Sequence, residues 1–419
     1  MRFGINTLDD FDVAGKTVLC RIDINQPVDK KTNTLKDTTR IEACISTLKE
    51  LLEKRAKLVL LAHQGSDIEY GNFYTTAPHA KVLSSLLGQD VKFIDDVCGP
   101  AARAAIQALQ PGEVLLLDNV RYVSEEQTLF EMKLQLSHEE QAKTLLVQKL
   151  APLGDIYVCD AFAASHRDQP SLCGFEQVMP SCMGRLFEEE FCVISSLMES
   201  PKRPCVFILG GAKISDAFLM LRTVLQNKVA DKVLTGGLVS NILLVAKGVD
   251  IGQASRDFIA KKNFNEFIPI AAGLLEEFSD QIVLPVDFAL EQDGKRAEYS
   301  LEQLPAPAGI TDIGTKTAAM YVDIIMSAQT IFANGPVGVF ENAATEHGTK
   351  CVWEAMGQTQ GYTVLGGGDS ITAANKYNVK KSISYVCTGG GALIRFLTGE
   401  ELPVVKALRH AQRTFPAAK

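Results

Sequence analysis

The 419-residue chain lacks the marks of several large protein classes. It has no excess of positive charge: 42 Lys and Arg stand against 50 Asp and Glu, a net charge of −8. Nucleic-acid binding through a broad basic face is disfavoured, because that affinity scales with the number of phosphates neutralised. No apolar run approaches the ~18 residues of a membrane-spanning helix, and residues 1–11 lack the apolar core of a signal peptide. The ten cysteines include no CxxC pair, and several (Cys20, Cys159, Cys205, Cys387) sit inside apolar runs. Buried free thiols in a reducing, cytoplasmic setting are expected. Also absent are GxxxxGK(S/T), a GxGxxG with an acidic partner ~20 residues on, and the protein-kinase signatures. Those absences disfavour a P-loop enzyme, an NAD-dependent dehydrogenase and a protein kinase.

What is present is the composition of a folded protein: 46% hydrophobic, 22% charged, 32 Gly and 16 Pro. It excludes disordered, collagen-like and coiled-coil classes. At ~100–200 residues per domain, two or three domains are expected. Short Val/Ile/Leu-rich runs recur at 17–22, 57–62, 114–117, 156–159, 205–209, 232–234, 282–284, 330–332, 362–365 and 383–387. Between them lie stretches such as 39–55 and 216–228, with apolar residues three and four apart. Strand, helix, strand at this rhythm predicts parallel sheet covered on both faces. Ten strands are many for one open sheet, so the expected α/β fold has two doubly wound, Rossmann-like sheets. The boundary is placed at 183–203, where an acidic helical stretch runs into Ser200-Pro201-Lys202-Arg203-Pro204 and forms a connecting hinge helix.

In open parallel sheets, ligands bind beyond the carboxyl ends of the strands. In the first half those ends carry polar and cationic groups. They are Asp23-Ile24-Asn25 with Arg40 at the next helix, His63-Gln64-Gly65, Asp118-Asn119-Val120-Arg121, and Asp160 followed by Ser165-His166-Arg167. A single strand-end Asp often only caps a helix. Four successive ends of this kind make a clamp for a small multivalent anion, since guanidinium forks match carboxylate and phosphate. In the second half the ends carry glycine: Gly210-Gly211-Ala212-Lys213, Gly236-Gly237, Asn334-Gly335-Pro336, Gly366-Gly367-Gly368-Asp369-Ser370 and Thr388-Gly389-Gly390-Gly391. One such run makes a tight turn; five, with Lys213 and Asp369 among them, predict backbone amides around nucleotide phosphates, with Asp369 on a phosphate-bound magnesium. The expectation is an anion-binding domain facing a nucleotide-binding domain across a cleft, for phosphoryl transfer to or from a small acidic metabolite.

At these residues the chain closely resembles the phosphoglycerate kinase family. The likeness runs nearly end to end, through VLCRIDINQPVD, RIEACISTLKELLEKRAKLVLLAHQG, VLLLDNVRYVSEE, DIYVCDAFAASHR, FILGGAKISD, IVLPVDFAL, ANGPVGVFE, VLGGGDS and VCTGGGALIRFLTGEELPVVKAL. The forms AHQG and ANGPVGVFE look most like the archaeal branch. The resemblance implies reversible, Mg2+-dependent transfer between 1,3-bisphosphoglycerate and ADP, giving 3-phosphoglycerate and ATP in glycolysis and gluconeogenesis. It assigns 1–183 plus a returning 402–419 to a phosphoglycerate domain, 184–200 to the hinge helix and 201–401 to a nucleotide domain.

By motif match, Asp23 and Asn25 would hold the glycerate, while His63, Arg121, His166 and Arg167 complete the substrate clamp. Arg40 would stabilise the transferring phosphoryl. Lys213 would contact the nucleotide phosphates, Gly236 and Gly237 would flank adenine, and Asn334, Pro336 and Glu341 would meet triphosphate and ribose. Gly367, Gly368, Asp369 and Ser370 would carry phosphates and Mg2+, with Gly390 and Gly391 aimed at the group in transfer. The implied partners are small molecules alone, without nucleic acid or membrane, for a monomer or small homo-oligomer. Two departures stand out. Ser66-Asp67 replaces the family's usual Arg-Pro, so that one arm of the substrate clamp is missing or another cation, such as Lys81 or Arg103, supplies it. Ala217 stands where many members carry a second lysine. A same-fold relative of reduced or altered activity, or a nucleotide-binding protein without catalysis, are the competing readings.

Overall fold

The computed structural model describes residues 3–29, 31–32, 34–65, 73–127 and 136–417. It divides into two compact units, Met1–Val193 with Glu401–Lys419, and Ile194–Glu400. The division falls inside one helix, Arg185–Glu199.

The first unit is built on six parallel strands: β1 (Thr17–Arg21), β2 (Lys57–Leu61), β3 (Val91–Ile94), β4 (Val114–Leu117), β5 (Ile156–Cys159) and β6 (Ser181–Met183). Their order is β3-β4-β2-β1-β5-β6. The central strands are buried almost throughout, as cover on both faces demands. Val18, Cys20, Leu58, Leu60 and Val158 pack with Ile41, Cys44, Leu48 and Leu51 of helix α1 (Thr39–Glu53) in one core. The returning helix Pro403–Thr414 buries Val404, Val405, Leu408 and Ala411 in this unit.

The second unit repeats the plan with β7 (Cys205–Leu209), β8 (Lys232–Thr235), β9 (Ile282–Val283), β13 (Thr330–Asn334), β14 (Tyr362–Gly366) and β15 (Tyr385–Val386), in the order β9-β8-β7-β13-β14-β15. It adds a three-stranded antiparallel sheet, β10 (Asp287–Gln292), β11 (Lys295–Ser300) and β12 (Asp312–Ile313), ordered β11-β10-β12. That addition departs from the expected purely parallel plan. A two-residue turn at Asp293-Gly294, φ 52° and 73°, joins β10 to β11. Asp-Gly is the dipeptide such a left-handed hairpin turn favours. Edge strands β3 and β6 were also not expected; one is half exposed and the other is three residues long. Among the described residues no helix is long and apolar enough to cross a membrane. All ten cysteines are free thiols.

Asp160, beyond β5, accepts the main-chain N–H groups of Leu186 at 3.0 Å and Phe187 at 3.3 Å, satisfying the first turn of helix Arg185–Glu199. Burial pushes its carboxyl up to about 7. Gly184 leaves room for that carboxylate, because any Cβ there would overlap it. Gly184→Ala is expected to destabilise the protein by about 2–3 kcal/mol, through overpacking and loss of the cap. Urea unfolding measures it; a change below ~0.5 kcal/mol would show that the cap is dispensable.

Candidate functional site

The first cluster stands where β1, β2, β4 and β5 end. After β1, the Asp23 carboxylate accepts the Asn25 N–H at 3.1 Å and pairs with the guanidinium of Arg40 in the first turn of α1. The Asn25 amide oxygen accepts the Gly65 N–H at 2.9 Å, tying the turn after β1 to the turn after β2. Arg121, after β4, is buried; it donates to the Gly65 carbonyl, and its guanidinium lies 5.7 Å from the centre of the Phe73 ring. Buried amides brace these turns. Asn119 donates to the carbonyls of Gln64 (2.8 Å) and Tyr74 (3.0 Å), and Gln64 donates to that of Gln26 (2.7 Å). His166 and Arg167 follow the short turn Phe162–Ala164 after β5 and are partly exposed.

His63 lies at the centre. Burial first, then the charges of Arg21, Arg121, Arg167 and Arg40, hold its imidazole well below the usual range. The structure therefore brings together the arginines expected from three strand ends and adds one that was not expected. Arg21 is fully buried, the last residue of β1. Its Nη2 meets His63 Nδ1 at 3.1 Å, its Nη1 donates to the Ile22 carbonyl at 2.6 Å, and its Nε donates to the Ser171 hydroxyl at 3.1 Å. Ser171 donates onward to Glu126 at 2.8 Å, placing a buried carboxylate behind the guanidinium. Guanidinium has no acceptor, so Nδ1 of His63 must accept and the imidazole proton sits on Nε2. The signal was present: one charge inside the apolar run VLCRI. Of the two substitutes considered for the absent arginine, Lys81 is exposed, and Arg103 donates to the Gly99 carbonyl at 3.3 Å beside a different cavity with Lys149. Ser66 and Asp67 lie outside the described residues.

The second cluster belongs to the other unit. A cavity of about 410 Å³ opens there, lined by Gly211, Gly237, Pro336, Glu341 and Asp369. That size falls in the range of small-molecule sites. Its opposite wall is apolar, from Leu238, Ala254, Phe258, Ile310 and Val339, none of which the sequence reading singled out. Val339 falls within ANGPVGVFE; the other four come from helices and loops outside the quoted motifs.

The glycines divide by task. A Cβ at Gly210, Gly236 or Gly335 would overlap a neighbouring turn, so these three serve turn-on-turn packing. Gly236 does not line the cavity, whereas Gly237 does. Gly367, at φ 87°, sits against Asn334 Oδ1, and nothing lies within 4 Å of a Cβ on Gly368. Ser370 is buried, its hydroxyl accepting the Gly335 N–H at 2.8 Å, so it braces two loops. Lys213 is the exposed residue before helix Ile214–Gln226. Four residues on, Ala217 is 7% exposed, facing the core. Asp369 is exposed in the first turn of helix Gly368–Lys376, and Gly390 precedes helix Gly391–Leu397.

A family model described as phosphoglycerate kinase matches residues 8–400. The chain is 44% identical to the phosphoglycerate kinase of Methanothermobacter thermautotrophicus, covering 98% of each, and 42% identical to that of Thermococcus kodakarensis, covering 97% and 98%. Its structure is similar to the crystal structure of phosphoglycerate kinase from Pyrococcus horikoshii OT3, with a TM-score of 0.85 and 40% identity over 98% of this chain and all of that one. The likeness to archaeal members agrees with these relatives.

Two outcomes are expected at the first cluster. Arg21→Met removes the buried charge that Ser171 links to Glu126 and should cost about 3–5 kcal/mol, with Glu126→Gln in the same chain recovering over half. Unfolding measurements on the two variants decide it; equal stability of single and double variants would refute the coupling. His63 binds a proton more readily unfolded than folded, so its contribution is complete above about pH 6.5 and is lost as pH falls below it. Between about pH 7.5 and 5.5 the wild-type protein should therefore lose more stability than His63→Gln.

Proposed function

We infer the working of both clusters from one premise: the chain belongs to the phosphoglycerate kinase family. It is a glycolytic kinase that moves a phosphoryl group reversibly between 1,3-bisphosphoglycerate and ADP, giving 3-phosphoglycerate and ATP. Its substrates are small molecules and include a nucleotide.

The observation that carries our assignment of roles is the gathering of Arg21, Arg40, Arg121 and Arg167 around a neutral His63. Such a set attracts a compact phosphorylated acid, and charge-assisted hydrogen bonds are the strong ones. We assign the substrate phosphate to Arg121, Arg167, His166 and the Nε2–H of His63, and the glycerate to Asp23 and Asn25. Arg40 is half exposed, and pairing with Asp23 engages only part of its fork. Its remaining N–H groups are assigned to the phosphoryl in transfer. The attacking oxygen is already ionised, as a carboxylate or as a nucleotide phosphate, so no general base is required. Catalysis is then positioning plus stabilisation of spread charge.

In the second unit we assign the base to the apolar wall and ribose to the Glu341 side. The phosphates are assigned to Lys213, Asn334, the N–H groups at Gly367 and Gly368, and the helix start at Gly390 and Gly391. Magnesium fits the residues present: the Asp369 carboxylate is exposed on the cavity, and among the described residues none pairs with it. One carboxylate plus phosphate oxygens and water is how this ion is usually held. Bound there, it would neutralise charge on the phosphate oxygens. The ten free thiols fit a cytoplasmic setting.

A coupled assay with 3-phosphoglycerate, ATP and Mg2+ tests the assignment. Arg40→Ala should lower kcat by about 10²–10³-fold with nucleotide affinity kept, the usual result of removing a transition-state donor. An unchanged kcat would move the phosphoryl contact elsewhere. No turnover by the wild-type protein would favour the non-catalytic reading.

A further inference from the structure

Apart from the anion cluster, three side chains of different ligand chemistry converge in the first unit: His138, Asp168 and Cys173. One ligand atom from each lies within 4.8 Å of the other two. His138 opens the short helix His138–Gln141, Asp168 follows Arg167 directly, and Cys173 ends the short helix Pro170–Cys173. His138 Nε2 stands 3.3 Å from Asp168 Oδ1. Two ligands on a tetrahedral ion with bonds of ~2.0–2.1 Å are separated by about that distance.

We propose that His138, Asp168 and Cys173 form a binding site for a thiophilic divalent cation of the zinc class. Thiolate, imidazole and carboxylate together suit Zn2+ or Co2+ and not the hard Mg2+ that accompanies nucleotide phosphates. The site is accessible: the Asp168 side chain is 49% exposed and that of His138 13%, while Cys173 is buried beneath them. The solvent side gives both an entry path and a fourth position for water. Binding replaces the thiol proton by the metal: the S–H bond breaks, an S–metal bond forms, and the proton leaves to solvent. Burial first, then the negative neighbours Glu176 and Asp168, oppose a bare thiolate on Cys173.

The site also borders the substrate cluster. Cys173 Sγ lies 3.9 Å from the carbonyl oxygen of Arg167, and Asp168 is its chain neighbour. An ion there cross-links the helix at His138 to the segment that carries His166 and Arg167. The inference does not depend on the roles assigned to those two residues.

The test is Co2+ titration of the full chain after treatment with a chelator. A near-ultraviolet thiolate-to-cobalt charge-transfer band should saturate at one equivalent and be displaced by Zn2+. Cys173→Ser should abolish the band, and His138→Gln should weaken binding by at least ~100-fold, the upper end of what a mere outer-shell partner costs. Cys351→Ser is the control, because His347 and Cys351 make another imidazole–thiol pair, at 3.6 Å. No band at one equivalent, or a band kept in Cys173→Ser and lost in Cys351→Ser, would overturn the proposal. Should Cys173→Ser fail to fold, His138→Gln decides alone: unchanged affinity overturns it.

Discussion

An acidic protein that must grip a small anion has to hold several positive charges together before the anion arrives. That constraint organises the first unit. Two like charges 4 Å apart repel by about 4 kcal/mol at an effective dielectric near 20, so four arginines near one imidazole need compensation. Each has its own. Arg21 is backed by Glu126 through Ser171, Arg40 by Asp23, and Arg121 by the Gly65 carbonyl and the Phe73 ring. The imidazole contributes by staying neutral. Its Nδ1 takes a hydrogen bond from Arg21, and burial disfavours a further charge. The buried amides of Asn119 and Gln64 then fix the turns on which these groups stand.

The second unit solves a related problem with backbone in place of charged side chains. Its strand ends are glycine because the turns press on one another, and the amides left exposed stand at helix starts. Gly210, Gly236 and Gly335 are needed for packing, whereas Gly237, Gly367 and Gly368 stand at the turns assigned to the nucleotide. Substitution in the first group should disturb folding before binding. At Gly368, where a Cβ would meet open space, the order should reverse.

Much of this was legible in the sequence, and the remainder was hidden for physical reasons. Parallel strands buried on both faces write themselves as uninterrupted Val/Ile/Leu, so the central strands and their polar ends stood out. Edge strands β3 and β6 did not, because a half-exposed or three-residue strand carries little pattern. The antiparallel hairpin was marked by Asp293-Gly294, a turn signal outweighed by the parallel rhythm around it. Arg21 was hidden in plain view: its charge interrupts an apolar strand, yet only the fold reveals that it reaches His63. The apolar wall from Phe258 to Val339 has no spacing rule, since loops and helices assemble it. Ala217 is explained by burial, as its side faces the core and not the cavity.

The anion cluster depends on His63 being a neutral donor whose Nδ1 is occupied by Arg21. Nitrogen NMR of the imidazoles, recorded from about pH 5.5 to 8, tests this most directly. The His63 resonances should stay those of the Nε2–H tautomer throughout, with no titration near the ordinary value of about 6.5. A His63 signal that titrates near 6.5, or one that carries its proton on Nδ1, would contradict it.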